Sequence, residues 1–220
     1  MDYECWLLGD SALLLRFGGA DVRSANAKVH SAAASLAAAR LTGVLAIAPS
    51  YAALALTLDL VAVDRAGGVD LLQLRISEVL AVSACAQAPA GREVVIPTHY
   101  GGADGPDLDA VARRVGLSSA EVVALHSAAS YQVAMIGFQP GFPYLLGLPE
   151  QLQLPRRDSV RAQVAAGSVA IAGAQAGIYP SPSPGGWHLL GRTALTLFDP
   201  GAAAPSLLLP GDRVRFVPVR

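Results

Sequence analysis

Lysine is nearly missing from this sequence. Lys28 is the only one in 220 residues, and the other fifteen of the sixteen basic residues are arginines. A P-loop places a lysine on the β/γ-phosphates within G-x-x-x-x-G-K-[ST], and no such string occurs. A Schiff-base enzyme needs a desolvated lysine. Lys28 instead lies in an alanine-rich stretch beside Val29, Ala32 and Ala33, where a solvated helix-face position is expected. A covalent biotin carrier would need a lysine on a tight hairpin, and none is there. ATP or biotin chemistry is therefore expected to reach this chain through a partner.

Cysteine is equally scarce: Cys5 and Cys85, with no C-x-x-C and no metal-ligand spacing. The histidines, His30, His99, His126 and His188, form no metal-spaced pair either, so no metal site is expected. Both cysteines sit among apolar residues and read as two buried free thiols in a reducing compartment. Charge is low, at 15% of residues against about 25% in average domains. The balance is near neutral, with a net charge of −1, which argues against nucleic-acid binding or a polybasic membrane surface. The acidic start Met1-Asp2-Tyr3-Glu4 does not resemble a signal peptide, and no run approaches eighteen apolar residues. A cytoplasmic protein that does not span a membrane is the expectation. At 53% hydrophobic, the chain has enough apolar material for large cores.

What is present organises into two parts. Residues 4–8 and 11–17 read as strands around Gly9-Asp10. Asp21 then caps a helix of about twenty residues through Ala25, Val29, Ala33 and Leu36. Residues 44–48 and 53–60 read as two further strands. A helix from Asp70 to Ala86 follows, with Leu71, Leu74, Val79 and Val82 on its apolar side. The order ββαββα suits a small α+β sandwich. Ala88-Pro89-Ala90-Gly91 reads as a domain boundary, giving domains 1–88 and 89–220.

Beyond it, Val94–Pro97 forms a strand. Pro106 fits the first position of a helix with Asp107 and Asp109 in its first turn, ended by Gly116. Ser118-Ser119-Ala120-Glu121 opens another helix as a capping box. Helix, turn and helix here could suggest DNA binding, but residues 120–128 carry no Arg or Lys. After Tyr131, glycines and prolines punctuate short apolar runs at 131–138, 168–172, 175–179, 187–191, 194–198 and 213–217. That texture predicts a β-barrel or sandwich.

Three segments could carry chemistry. Gly137-Phe138-Gln139-Pro140-Gly141-Phe142-Pro143-Tyr144-Leu145 combines glycines that permit close backbone approach with aromatics that can wall a small ligand. The same residues also fit a rigid loop whose rings plug the barrel. Pro155-Arg156-Arg157 with Arg161 can fork onto a carboxylate or phosphate, or be solvated surface charge. Ser181 to Trp187 is a stiff loop that delivers Trp187 as a core plug, a lid or a partner anchor. His126 ends a helix, where the dipole favours its charged form, so it reads as a structural histidine or a general acid or base.

These segments resemble the family of 5-oxoprolinase B subunits, also called the KipI family or allophanate hydrolase subunit 1. The resemblance rests on Tyr100-Gly-Gly, Gly105-Pro-Asp-Leu, Gly137 to Leu145, Pro155-Arg-Arg, Ala166 to Gly173, Gly177-Ile-Tyr-Pro, Ser183 to Trp187, Gly191-Arg-Thr, Phe198-Asp-Pro and Pro210-Gly-Asp, in order along nearly the whole chain. It departs from the family pattern at His99, where a small residue or Cys is usual, and at Val160-Arg161, where Pro-Arg is usual. The resemblance implies a ferredoxin-like α+β sandwich followed by a cyclophilin-like β-barrel. It implies a protein that is inactive alone and works with two others, a paired, KipA-like C subunit and a lactam-hydrolase-like A subunit. Together they would cleave 5-oxoproline to glutamate using ATP with Mg, supplied to the assembled complex rather than bound by this chain. Relatives also include a histidine-kinase inhibitor, which would dock through Phe142, Tyr144 and Trp187, and a carboxyltransferase of urea degradation. On the 5-oxoprolinase reading, Arg156, Arg161 or Arg192 would clamp the substrate carboxylate. The backbone at Gly141 would stabilise charge, and His126 or Tyr144 would move protons. Phe138, Phe142 and Trp187 would wall the site.

Overall fold

The structure, a computed structural model, describes residues 2–83 and 91–219. Cys85 and the Ala88-Pro89-Ala90 stretch lie outside the described residues. The chain divides into two compact units, Met1–Ala90 and Gly91–Arg220. Among the described residues no helix is long and apolar enough to cross a membrane.

The first unit runs β1 (Tyr3–Leu7), β2 (Ala12–Phe17), α1 (Val22–Ala39), β3 (Val44–Pro49), β4 (Ala53–Leu58), α2 (Leu60–Arg65) and α3 (Gly68–Ser83). Its strands form one antiparallel sheet in the order β1-β2-β4-β3. Asp21 caps α1 as expected: its carboxylate accepts the Ser24 N–H at 2.7 Å, and the Ser24 hydroxyl accepts the Asp21 N–H in return. Strand alternation sends Leu13, Leu15 and Phe17 of β2 and Leu54, Leu56 and Leu58 of β4 to one face. There they meet Val29, Ala32 and Leu36 of α1. Each such leucine contributes roughly 1.5–3 kcal/mol through burial.

Three expectations change here. The fourth strand stops at Leu58, because the Asp59 carboxylate accepts the N–H groups of Val61 and Ala62 and starts the extra helix α2. In α3 the core face is Leu72, Ile76 and Leu80, not Leu71, Leu74 and Val82. Leu74 and Val82 are 55% and 82% exposed; Val79 alone of the expected stripe packs against the core. Two apolar stripes coexist on this helix, and only contact with the sheet chooses between them. Cys5 is free but half-buried rather than buried. Lys28 sits on α1 with its ammonium donating to the Gly18 carbonyl at 2.6 Å.

The second unit contains β5 (Glu93–Tyr100), α4 (Leu108–Val115), α5 (Ser119–Ala128), β6 (Tyr131–Ile136), β7 (Pro143–Leu146), β8 (Arg161–Val164), β9 (Ser168–Ala172), β10 (Gln175–Ile178), β11 (Ser183–Gly185), β12 (His188–Arg192) and β13 (Arg213–Val219). Seven strands close a barrel in the order β10-β7-β6-β13-β5-β12-β9, while β8 and β11 pair as a separate ribbon. Only the β13–β5 pair of the barrel is parallel. Val169 and Ile171 of β9 join the main core with Ile96, Leu145, Leu190 and Phe216. The alternate residues Ala170 and Ala172 face a second cluster with Phe142, Val164, Tyr179, Trp187 and Leu189.

The capping box at Ser118 and Glu121 and the left-handed Gly116 stop are as the sequence predicts. The run 194–198 is not a strand; only Phe198 bridges, to Ser206. Conversely, Pro143–Leu146 leaves the aromatic loop to become a barrel strand, and the two ribbon strands have no counterpart in the sequence pattern. Pro106 precedes the helix rather than starting it. Asp107 occupies the cap position of α4 without a side-chain capping bond, because its carboxylate is used elsewhere.

Candidate functional site

The aromatic loop leaves β6 through two tight turns. In the first, the Gln139 N–H donates to the Gly137 carbonyl at 2.7 Å, closing a three-residue turn around Phe138. Phe138 sits there at φ +64°, a left-handed conformation that a bulky residue adopts only under strain. In the second, the Phe142 N–H donates to the Gln139 carbonyl at 3.0 Å, with Pro140 and Gly141 (φ +80°) at the centre. That Pro-Gly order is the one a type II turn requires. A Cβ at Gly141 would also lie 2.6 Å from the Cβ of Phe198. The Gln139 side chain ties the loop down: it accepts from the Ser181 hydroxyl at 2.8 Å.

These turns aim the rings at one another. Phe142 meets Tyr144 at 5.0 Å, Tyr179 at 5.2 Å and Trp187 at 5.6 Å, the last two edge to face. Phe138 covers them from outside, edge-on to Phe142 at 5.5 Å, while remaining 63% exposed. The cluster encloses a cleft of about 230 Å³, walled by these rings with Arg156, Arg157, Val160 and the Pro184-Gly185-Gly186 turn.

The arginines have divided duties. Asp107 is almost wholly buried, and its carboxylate holds Arg161 through two bonds, Nη1 at 2.9 Å and Nη2 at 2.7 Å. Arg157 Nη1 donates to the same carboxylate at 2.6 Å, and the Leu189 N–H donates at 2.8 Å. Burial alone would raise the Asp107 pKa, but these donors and charges outweigh it and hold the carboxyl below its ordinary range. Arg156 stands between two anchored neighbours. The Pro155 carbonyl pairs with His188 Nε2 at 2.9 Å, and the Arg157 N–H donates to the Gly186 carbonyl at 2.8 Å. Among the described residues no carboxylate pairs with Arg156, which is exposed on the cleft rim. An anion entering the cleft would meet an unneutralised guanidinium on a fixed backbone.

Of the residues singled out in the sequence, the fold gathers Phe138, Phe142, Tyr144, Arg156 and Trp187 around this cleft. Gly141 lies in the turn rather than in the wall, and Arg161 is engaged with Asp107. Arg192 lies apart, in a larger cleft of about 460 Å³ with His99, Asp104, Gly167 and Thr193. Its Nε donates to the Ala166 carbonyl at 2.8 Å. His126 is in neither cleft. It is fully buried against Phe216 (4.6 Å), Tyr131 and Tyr100, with Nδ1 2.7 Å from the Tyr100 hydroxyl. The dipole argument for a charged His126 fails, because burial pushes its pKa down to about 3. Two residues of the site, Tyr179 and Asp107, are not among the sequence candidates. Tyr179 carries one signal, its place in Gly177-Ile178-Tyr179-Pro180. Asp107 carries the same kind of signal, its place in Gly105-Pro106-Asp107-Leu108, but nothing local shows its partners, which are 50 and 54 residues away.

The second unit is thus a closed barrel bearing an aromatic cleft with Arg156 on its rim. The chain belongs to the carboxyltransferase domain family, subdomain C and D, which matches residues 3–208. It is 39% identical to the 5-oxoprolinase B subunit of Bacillus subtilis (strain 168), over 98% of this chain and 92% of that protein. It is 58% identical to the 5-oxoprolinase B subunit of Escherichia coli O157:H7 over 59% of this chain; that match spans 60% of the relative's length. The crystal structure of TTHA0988 superposes with a TM-score of 0.81 at 42% identity, covering 95% of this chain and 40% of that one.

Proposed function

We propose that this chain is the B subunit of an ATP-dependent 5-oxoprolinase, and that the aromatic cleft binds 5-oxoproline. The observation that carries this reading is the Arg156 guanidinium, paired with no carboxylate among the described residues, on the rim of a cleft walled by Phe138, Phe142, Tyr144 and Trp187. A five-membered lactam is flat and weakly polar over its ring, and it carries one carboxylate. The rings take the first feature and Arg156 takes the second. Charge-assisted contacts of this kind contribute roughly 1.5–3 kcal/mol. On this reading Arg157 and Arg161 are positioning residues. Asp107 locks both, so that the strand and loop carrying Arg156 and Trp187 stay in register. The architecture is read as a ferredoxin-like first domain over residues 1–88 and a cyclophilin-like barrel over 89–220.

On this reading the chain does not itself hold Mg-ATP. Its one lysine is turned onto the Gly18 carbonyl, and among the described residues no three His, Cys, Asp or Glu side chains cluster to hold a metal ion. We therefore assign the nucleotide to the partners, a paired, KipA-like C subunit and a lactam-hydrolase-like A subunit, in a cytoplasmic assembly. This chain's part is to bind the lactam, orient it and exclude water from its ring. His126 is given no proton-transfer role, and Arg192 is given no contact with the lactam. Tyr144 contributes a ring wall.

The test is reconstitution. The chain co-purified with its partners should release glutamate from 5-oxoproline only when ATP is present, and the chain alone should release none. No ATP-dependent release by a folded, complete assembly would overturn the reading.

A further inference from the structure

Tyr179 follows β10 directly, and its backbone is fixed on both sides. Its N–H donates to the Ser168 carbonyl at 3.0 Å, and its carbonyl accepts the Gly167 N–H at 2.7 Å. The ring is held edge-on by Phe142 at 5.2 Å and by Phe138 at 6.5 Å. The hydroxyl lies tight against Gly185, where an added Cβ would sit only 2.3 Å from it. So the side chain is almost completely buried, yet it forms part of the cleft wall. The backbone N–H of Trp187 is near enough to lower the pKa of this phenol. No described side chain or carbonyl accepts a hydrogen bond from that hydroxyl. Its proton therefore has no acceptor among the described residues.

A phenol O–H set in the wall of a cleft, with no acceptor on the protein, is available to a ligand oxygen. Resting on the reading of the cleft as a lactam site, we propose that Tyr179 is a catalytic residue that donates a hydrogen bond to the ring carbonyl oxygen of the bound cyclic amide. Arg156 would hold the carboxylate at the rim while Tyr179 meets the carbonyl at the wall, so two polar ends of one small molecule are read at two points. No bond breaks at Tyr179. Its donor withdraws density from the amide carbonyl and makes that carbon a better electrophile for the step the partners carry out. Burial raises the phenol pKa, more than the Trp187 N–H and the nearby Arg156 and Arg161 lower it, so the hydroxyl keeps its proton at neutral pH. Asn, Ser or Thr would be too short from the Tyr179 backbone to reach the same point through the Phe142 cluster.

The experiment titrates the full chain with 5-oxoproline and with cyclopentanecarboxylate, which keeps the ring and carboxylate but has no ring carbonyl. Binding is followed by Trp187 fluorescence and by chemical-shift changes at cleft residues. The wild type should bind 5-oxoproline about tenfold more tightly than the analogue. Tyr179→Phe should bind the two within about twofold of each other, with its affinity for cyclopentanecarboxylate unchanged. A variant that keeps the tenfold preference overturns the role of Tyr179 and leaves the cleft reading standing. So does a wild type that binds both equally. Equal loss of both ligands in the variant would assign Tyr179 to packing and also overturn the proposal. A wild type that binds neither ligand at the cleft overturns the cleft reading, and Tyr179 with it.

Discussion

Two residues show how burial decides what a side chain can do. In His126, the helix dipole would favour the charged imidazole by at most about 2 kcal/mol. Full burial disfavours it by roughly 4 kcal/mol, which is the worth of about three pKa units. Burial wins, and the histidine belongs to the core. Its folded pKa of about 3 lies below the ordinary 6.5, so the neutral form stabilises the fold above pH 6.5 and that contribution is lost as pH falls toward 3. Urea unfolding at pH 7 and pH 5 should show wild-type stability falling by about 2 kcal/mol more than that of His126→Leu. Equal slopes for the two proteins would show that His126 titrates normally. Asp107 is the opposite case. Its charge is retained in the interior because three donors converge on it, and the Gly105-Pro-Asp-Leu motif that contains it does not show which groups those are, since two of them come from a loop and a strand 50 and more residues on.

At the scale of elements, what the sequence makes legible follows from local chemistry. The Asp21 cap, the Ser118 capping box and the Gly116 stop each depend on a few adjacent residues, and each forms as read. The chosen stripe of α3 and the strand at Pro143–Leu146 depend on distant partners, and neither forms as the local pattern suggests. The cleft is legible in part. The rings and Arg156 are visible as unusual residue clusters, but their convergence is not, and neither is the withdrawal of Arg161 and Arg192 to other duties. The turn at Phe138 lies beyond sequence reasoning altogether, since nothing marks a phenylalanine for positive φ. That turn holds strain of about 1 kcal/mol, which the loop's other bonds maintain. Comparing two variants that both remove the ring isolates it. Phe138→Gly should be more stable than Phe138→Ala by about 1 kcal/mol in chemical denaturation, because glycine adopts the left-handed conformation freely. At an ordinary exposed position with negative φ the order would reverse, and that result would deny the strained turn.

For the molecule as a whole, the shortage of lysine and the surplus of arginine acquire a physical sense. Arginine is a rigid fork that suits a buried carboxylate and a ligand carboxylate alike. Here one group of forks stiffens the wall, and Arg156 is left over at its rim. Of the two barrel clefts described above, the smaller has the convergent rings and Arg156 on its rim, so size alone does not mark the site. The central claim is that Arg156 holds the carboxylate of 5-oxoproline in this cleft. The most direct measurement is the KM for 5-oxoproline of the assembled complex carrying Arg156→Ala, with co-purification of the partners as the check on assembly. The account predicts a KM raised about tenfold to a hundredfold with the complex intact. An intact complex with an unchanged KM would contradict it.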